Sequence, residues 1–132
     1  MKLKRIDNID VLCLDLEPMV AFYRDVLGLE FRLPYDRSEG WAGFSAGNLD
    51  IYLIESSDGT HPGPRSAANE GAPAGFDSFA FEVDELDAAI AHFDALGVSW
   101  AGEVVESEWY AYRGMHDPEG NLVYLTVPKL NR

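Results

Sequence analysis

IDVLCLDLEPMVAFYRDVLGLEF, residues 9–31, and FAFEVDELDAAIAHFDALGVSW, residues 79–100, follow one plan. Each begins with alternating apolar residues, passes an acidic residue, and continues with apolar residues at helical spacing up to a glycine. Alternation is the period of a half-buried strand, and i, i+3, i+4 spacing is that of a helix. The first helix is expected to start after Asp15, to tolerate Pro18 in its first turn and to stop at Gly28, because first-turn amides have no helical acceptor to lose. Leu16, Met19, Val20, Tyr23, Val26 and Leu27 form its apolar stripe. The second is expected from about Asp84 to Gly97, with Leu86, Ala89, Ile90, Phe93 and Leu96 on its stripe.

A second echo lies downstream of each helix, GNLDIYL at 47–53 and GNLVYL at 120–125. Self-similarity at a period of about 70 residues means one unit used twice. Strand-like runs follow the first helix at 29–34, 40–46 and 49–55, and the second at 98–104, 106–116 and 121–127. The fold class is therefore α+β, with two βαβββ modules, about 5–55 and about 76–128, in a single domain 1–132. The interval 56–75, SSDGTHPGPRSAANEGAPAG, is rich in Gly, Pro, Ser and Ala and has no periodicity, so it reads as a mobile linker or flap. Such an interval is more often a solvated connector than a functional part.

Composition narrows the function classes. With 47% hydrophobic and 25% charged residues, 132 residues suffice for a packed core. Ten basic against 23 acidic residues give a formal charge of −13, which repels phosphate backbones and anionic lipid, so neither nucleic acid nor a membrane is an expected partner. There is no long apolar run to span a bilayer, and MKLKRIDNID carries no apolar stretch of a secretory signal, so a cytoplasmic protein is expected. Cys13 is the only cysteine, which excludes an internal disulfide and a cysteine-based zinc site.

FYRDVLGLEF at the end of the first helix and HDPEGNLVYL at the start of the last strand resemble the vicinal oxygen chelate superfamily, over roughly residues 5–128. This is the fold of glyoxalases, extradiol dioxygenases, thiol-transferring antibiotic resistance enzymes and bleomycin-resistance proteins. The resemblance implies curved mixed sheets forming half-barrels, and a homodimer with cavities at the subunit interface. Catalytic members hold a divalent metal through His, Glu or Gln on the first and last strands of each module. The corresponding positions here are Asn8, Tyr52, Ser78 and Tyr124. A neutral amide, a hydroxyl and two phenols are poor ligands beside imidazole and carboxylate, so the expectation is no metal and no cofactor.

Alternation places Asn8, Asp10, Leu12, Tyr52, Ile54, Ser78, Ala80, Glu82, Leu122, Tyr124 and Thr126 on one face of the sheets. The other face takes Ile9, Val11, Cys13, Ile51, Leu53, Phe79, Phe81, Val83, Val123 and Leu125, an almost wholly apolar set suited to pack on the helices. Trp41, Trp100, Trp109, Tyr110 and Tyr112 add aromatic surface, and a bulge in 106–116 leaves open which of Trp109 and Tyr110 points inward. The expected ligand-binding set is therefore Asn8, Asp10, Trp41, Tyr52, Ser78, Trp100, Trp109, Tyr110, Tyr112 and Tyr124, with no catalytic residue.

This pattern resembles the metal-free, drug-binding branch of the superfamily, whose members sequester hydrophobic or aromatic natural products in antibiotic self-resistance. The alternative is a lyase, isomerase or dioxygenase-like enzyme using the carboxylates of Asp10 and Glu82, or an atypical metal site of Asp10, Glu82 and His116. Arg32 and Arg113 are candidates to orient an acidic or phenolic oxygen, with plain surface charge the more frequent role of such residues.

Overall fold

Alternation in the first stretch becomes β1 (Asn8–Cys13), and the helical spacing becomes α1 (Leu16–Ala21), which continues as a π-helical turn over Phe22–Val26. In that turn the Leu27 N–H reaches the Phe22 carbonyl at 3.0 Å, five residues back instead of four. The extra residue brings Phe22 inward beside Tyr23, and both are buried, while Val26 and Leu27 of the expected stripe are only half-buried. These elements belong to a computed structural model that describes residues 1–67 and 71–129. Residues 68–70, part of the interval read as a linker, and 130–132 lie outside the described residues.

The chain separates into two compact units, Met1–Pro62 and Gly63–Arg132, here modules 1 and 2. Module 1 adds β2 (Glu30–Phe31), β3 (Trp41–Ser45) and β4 (Asp50–Glu55) in the sheet order β1-β4-β3-β2. β1 runs parallel to β4, and the other pairs are antiparallel. The helix-facing side carries Cys13, Ala42, Phe44, Ile51 and Leu53, buried with Leu16, Met19, Val20 and Tyr23. Aromatic contacts extend this core to the sheet edge, where Phe31 stacks on Phe44 at 4.9 Å and on Tyr35 at 5.4 Å. The Tyr35 hydroxyl donates to the Glu17 carboxylate of α1, and Arg37 pairs with the same carboxylate at 3.3 Å. Burial and the Glu17 carboxylate push the Tyr35 phenol up to about 12, so it remains the donor at neutral pH. The loop that delivers Trp41 to β3 is thus tied to α1.

Module 2 repeats the plan with β5 (Ser78–Glu82), α2 (Leu86–Ala95), β6 (Ser99–Trp100), β7 (Val105–Glu106), β8 (Tyr110–His116) and β9 (Leu122–Pro128). Its order is β5-β9-β8-β6, with β5 parallel to β9 and β7 paired to β8. α2 ends in a Schellman closure, in which the Gly97 N–H meets Asp94 O at 3.0 Å and the Val98 N–H meets Phe93 O at 3.4 Å, with Gly97 at φ 76°. The apolar side of this module is less enclosed: Phe79, Phe81, Leu86, Ile90 and Phe93 are half-buried, and no residue of α2 is fully buried. α2 carries alanines at 88, 89, 91 and 95, which supply little volume to a core.

Three expectations change. The expected strands 29–34 and 98–104 shorten to two residues each. The single strand expected over 106–116 is a hairpin: the Ser107 hydroxyl accepts from the Trp109 and Tyr110 amides at 3.2 and 3.1 Å and turns the chain from β7 into β8. The interval read as a mobile connector is partly built into module 2. The Arg65 N–H donates to Gly120 O at 3.2 Å, and the Arg65 guanidinium pairs with Asp77 at 3.0 Å and donates to Pro73 O at 2.9 Å. Among the described residues, no helix is long and apolar enough to cross a membrane.

The turn before β9 explains the DPEGN run. Asp117, only 4% exposed, accepts from the backbone amides of Glu119 and Asn121, each at 3.0 Å, and from the Asn121 side chain at 2.9 Å. Gly120 sits at φ 85°, and a Cβ there would lie 2.8 Å from the Pro64 Cα, so both conformation and space demand glycine. Asp117→Ala is expected to cost about 2–3 kcal/mol, because it strips a buried acceptor from three donors; urea unfolding of the variant measures this.

Candidate functional site

Register decides which side chains meet. In module 1, Asn8, Asp10 and Leu12 lie opposite Asp50, Tyr52 and Ile54, and β3 brings Ser45, Gly43 and Trp41 to the same face. In module 2, Ser78, Ala80 and Glu82 lie opposite Leu122, Tyr124 and Thr126, and β8 adds His116, Gly114, Tyr112 and Tyr110. These are the faces turned away from the helices. Leu122 departs from the expectation for this face, because it is fully buried where the chain enters β9.

Each module puts a glycine directly beside its last-strand tyrosine, Gly43 beside Tyr52 and Gly114 beside Tyr124. The ring lies down over that glycine. A Cβ on Gly43 would stand 2.7 Å from Tyr52 Cε1, and one on Gly114 would stand 2.8 Å from Tyr124 Cε1. An aromatic ring covering a bare strand glycine restores packing that the missing side chain would have given. A second aromatic then flanks each tyrosine: Trp41 is 6.0 Å from Tyr52 at 52°, and Tyr112 is 5.5 Å from Tyr124 at 84°.

Cavities open on these floors. In module 1 a cavity of about 460 Å³ is walled by Trp41, Tyr52 and Ile54, with Glu39 and Glu55 at its border. In module 2, among the described residues, two cavities share the Tyr112–Tyr124 pair as lining. One of about 580 Å³ reaches His116, Val104 and the Pro64–Ala67 segment, and one of about 300 Å³ reaches Ser78, Tyr110 and Thr126.

Within each module, the expected ligand-binding residues are placed as follows. Asn8, Asp10, Trp41 and Tyr52 share a face in module 1, and Ser78, Tyr110, Tyr112 and Tyr124 share one in module 2. Trp100 is not in that group. It pairs with Met115 on the opposite face, donates its indole N–H to Asp94 of α2 at 3.1 Å, and lies under the Arg113 guanidinium at 4.3 Å. Trp109 is also outside it, half-exposed in the turn before β8, which settles the open question of 106–116 in favour of Tyr110. Arg113 is on the far face with Trp100, and Arg32 pairs with Asp50 at 3.5 Å.

The donor set does not suit a divalent metal. The Asn8 amide donates to Asp10 at 2.8 Å, and the two tyrosines are laid over glycines. Among the described residues, no group of three or more His, Cys, Asp or Glu is placed to hold a metal ion. Gly43, Gly114 and the docked Pro64–Ala67 segment were not anticipated. The sequence signal for the first two is an isolated glycine inside each of the strands WAGFS and YRGMH, which marks close approach of another group.

A family model described as Glyoxalase/Bleomycin resistance protein/Dioxygenase superfamily matches residues 5–125. The chain is 30% identical over 123 residues, 89% of its length and 92% of the relative's, to "Uncharacterized protein YaeR" of Escherichia coli (strain K12). Among solved structures it is similar to lactoylglutathione lyase from Agrobacterium tumefaciens, at 24% identity, 96% of each chain and a TM-score of 0.71. It is likewise similar to a glyoxalase family protein from Enterococcus faecalis, at 19% identity, 96% of this chain, 99% of that one and a TM-score of 0.75. At such identities the structural likeness speaks for the fold, two curved mixed sheets with a helix to each.

Gly43→Ala and Gly114→Ala are each expected to lift the covering tyrosine ring off the strand and to cost about 1–3 kcal/mol by overpacking. Thermal unfolding measures the cost, and loss of nuclear Overhauser contacts between the Tyr ring and the strand beneath it reports the displacement.

Proposed function

We propose, from the premise that the chain belongs to the glyoxalase/bleomycin resistance protein/dioxygenase superfamily, that it binds a planar, hydrophobic or aromatic small molecule and holds it unchanged. The observation that carries this reading is the pair of tyrosines laid over glycine at positions where the resemblance implies metal ligands. A ring held flat on a sheet offers its face to a planar guest, with offset stacking worth about 0.5–1.5 kcal/mol beyond area burial. Sequestration of a natural product, as in antibiotic self-resistance, is the biological role this chemistry serves. A homodimer that encloses the ligand fits the same reading.

Charge supports a neutral or cationic guest over an anionic one. The formal charge is −13, and Arg5, Arg24, Arg32, Arg37, Arg65 and Arg113 each stand in an ion pair. An acidic thioester such as lactoylglutathione, the compound after which the Agrobacterium tumefaciens lyase is named, carries carboxylates that need free cations. Lewis-acid catalysis asks for imidazole or carboxylate at positions that hold Asn8, Tyr52, Ser78 and Tyr124, so the residues present do not fit a catalytic metal.

Two measurements test the reading. Titration with planar aromatic natural products is expected to quench Trp41 fluorescence, with each compound recovered chemically intact, and elemental analysis is expected to find only substoichiometric Ni, Zn, Mn and Fe. Recovery of a transformed compound, or one metal ion per chain, favours the lyase, isomerase or dioxygenase alternative. Tyr52→Ala and Tyr124→Ala are expected to weaken binding about tenfold, as a lost stacking partner and its buried area imply. An unaltered affinity with lowered thermal stability would make both rings core residues instead.

A further inference from the structure

We infer that the larger cavity of module 2 is a roofed compartment for a neutral planar ligand bearing a hydroxyl group. Pro64–Ala67 is its roof and His116 the hydrogen-bond acceptor that reads the hydroxyl. The inference rests on the binding reading above and names the chemistry of its ligand.

The compartment measures about 580 Å³, within the range of small-molecule sites. Tyr124 and Tyr112 form its floor, and Val104 and Val105, both exposed, form an apolar wall. The roof is fixed at several points. Pro64 rests on Gly120, Ala67 comes down on Gly102, and the Arg65 amide bonds the Gly120 carbonyl at 3.2 Å. The Arg65 guanidinium is locked to Asp77 at 3.0 Å and to the Pro73 carbonyl at 2.9 Å, with the Arg65 and Asp77 side chains only 19% and 25% exposed. This is a built roof, and Arg65 is its positioning residue.

The polar chemistry inside follows from one bond. His116 Nε2 lies 2.8 Å from the Arg65 carbonyl. A carbonyl oxygen only accepts, so Nε2 carries the hydrogen, and in the neutral imidazole the lone pair is on Nδ1. That nitrogen accepts from a ligand O–H. The other ionic side chain of the lining besides Arg65 is that of Glu103, which is 94% exposed and faces the Arg113 guanidinium at 3.8 Å. The neighbouring cations are committed: Arg65 to Asp77 and Pro73, and Arg113 to Gly102 O at 2.9 Å, the Glu103 carboxylate at 3.8 Å and the Trp100 ring. Acceptors without a free cation select a donor and reject an anion.

The test compares 2-naphthol, 2-methoxynaphthalene and 2-naphthoate by NMR titration of the full chain, read at the His116 and Tyr124 resonances. 2-Naphthol is expected to bind about 3- to 10-fold tighter than its methyl ether, the range of one neutral hydrogen bond, and the carboxylate weakest. His116→Phe removes the acceptor nitrogen, so it is expected to erase that preference, and its thermal unfolding checks that the variant folds. Arg65→Ala unseats the roof and is expected to weaken both neutral probes by a similar factor. Equal affinity for naphthol and ether, a preference that survives in His116→Phe, tightest binding of naphthoate, or shifts confined to module 1 would each overturn the inference while the binding reading stands. Binding of no probe anywhere on the chain would overturn both.

Discussion

Everything that distinguishes one face of each sheet from the other depends on the parallel pairing of a module's first strand with its last. β1 lies in register with β4, and β5 with β9. Because side chains alternate with a period of two, a slip of one residue would move a strand's whole set to the other face. Such a slip in β4 would bring Tyr52 onto the buried side and put Ile51 and Leu53, which are almost completely enclosed, into solvent. The cost of exposing two such side chains, about 1.5–3 kcal/mol each, is what holds the register. The floor of the cavity is thus stabilised from behind, by a core that takes no part in binding.

The same asymmetry made much of the fold legible. One face of β1 and β4 is apolar and the other mixed, so the alternation in IDVLC and DIYLI could be read without coordinates, as could both helices and the duplication. What escaped lay where no periodic signal exists. β2 and β6 have two residues each and cannot show a period. The π-helical turn at Phe22–Val26 is one residue of extra winding, visible only through the Leu27 to Phe22 bond. The hairpin at Ser107 depends on one hydroxyl taking two amides, which ordinary Ser composition does not announce.

The candidate site was legible to the same degree and for the same reason. Strand parity put Tyr52 and Tyr124 on the face turned away from the helices, as the register has it, whereas Trp100 was grouped with them only as an aromatic residue, since its two-residue strand offers no parity to count. The docking of Gly63–Ala67 was hidden because the partners of Arg65 are Asp77, Pro73, Gly120 and His116, brought together by tertiary structure and not by spacing. A run rich in Gly, Pro and Ser has the composition of a linker whether or not one arginine in it is locked down.

The two modules share a floor and differ in their walls. Both lay a tyrosine over a strand glycine, and that element is set by the sheet, whose pairing admits little variation. The walls differ because connections differ: the loop at Glu39 borders the cavity of module 1, whereas Pro64–Ala67 and Val104 border that of module 2. Connections change at small cost to the core, so a duplicated unit can keep its platform and diverge in what surrounds it. One module then sets carboxylates beside an indole, and the other an imidazole beside the Pro64–Ala67 segment. A chain built this way reads the two halves of its repeat as different chemical surfaces, although the physical device beneath them is the same.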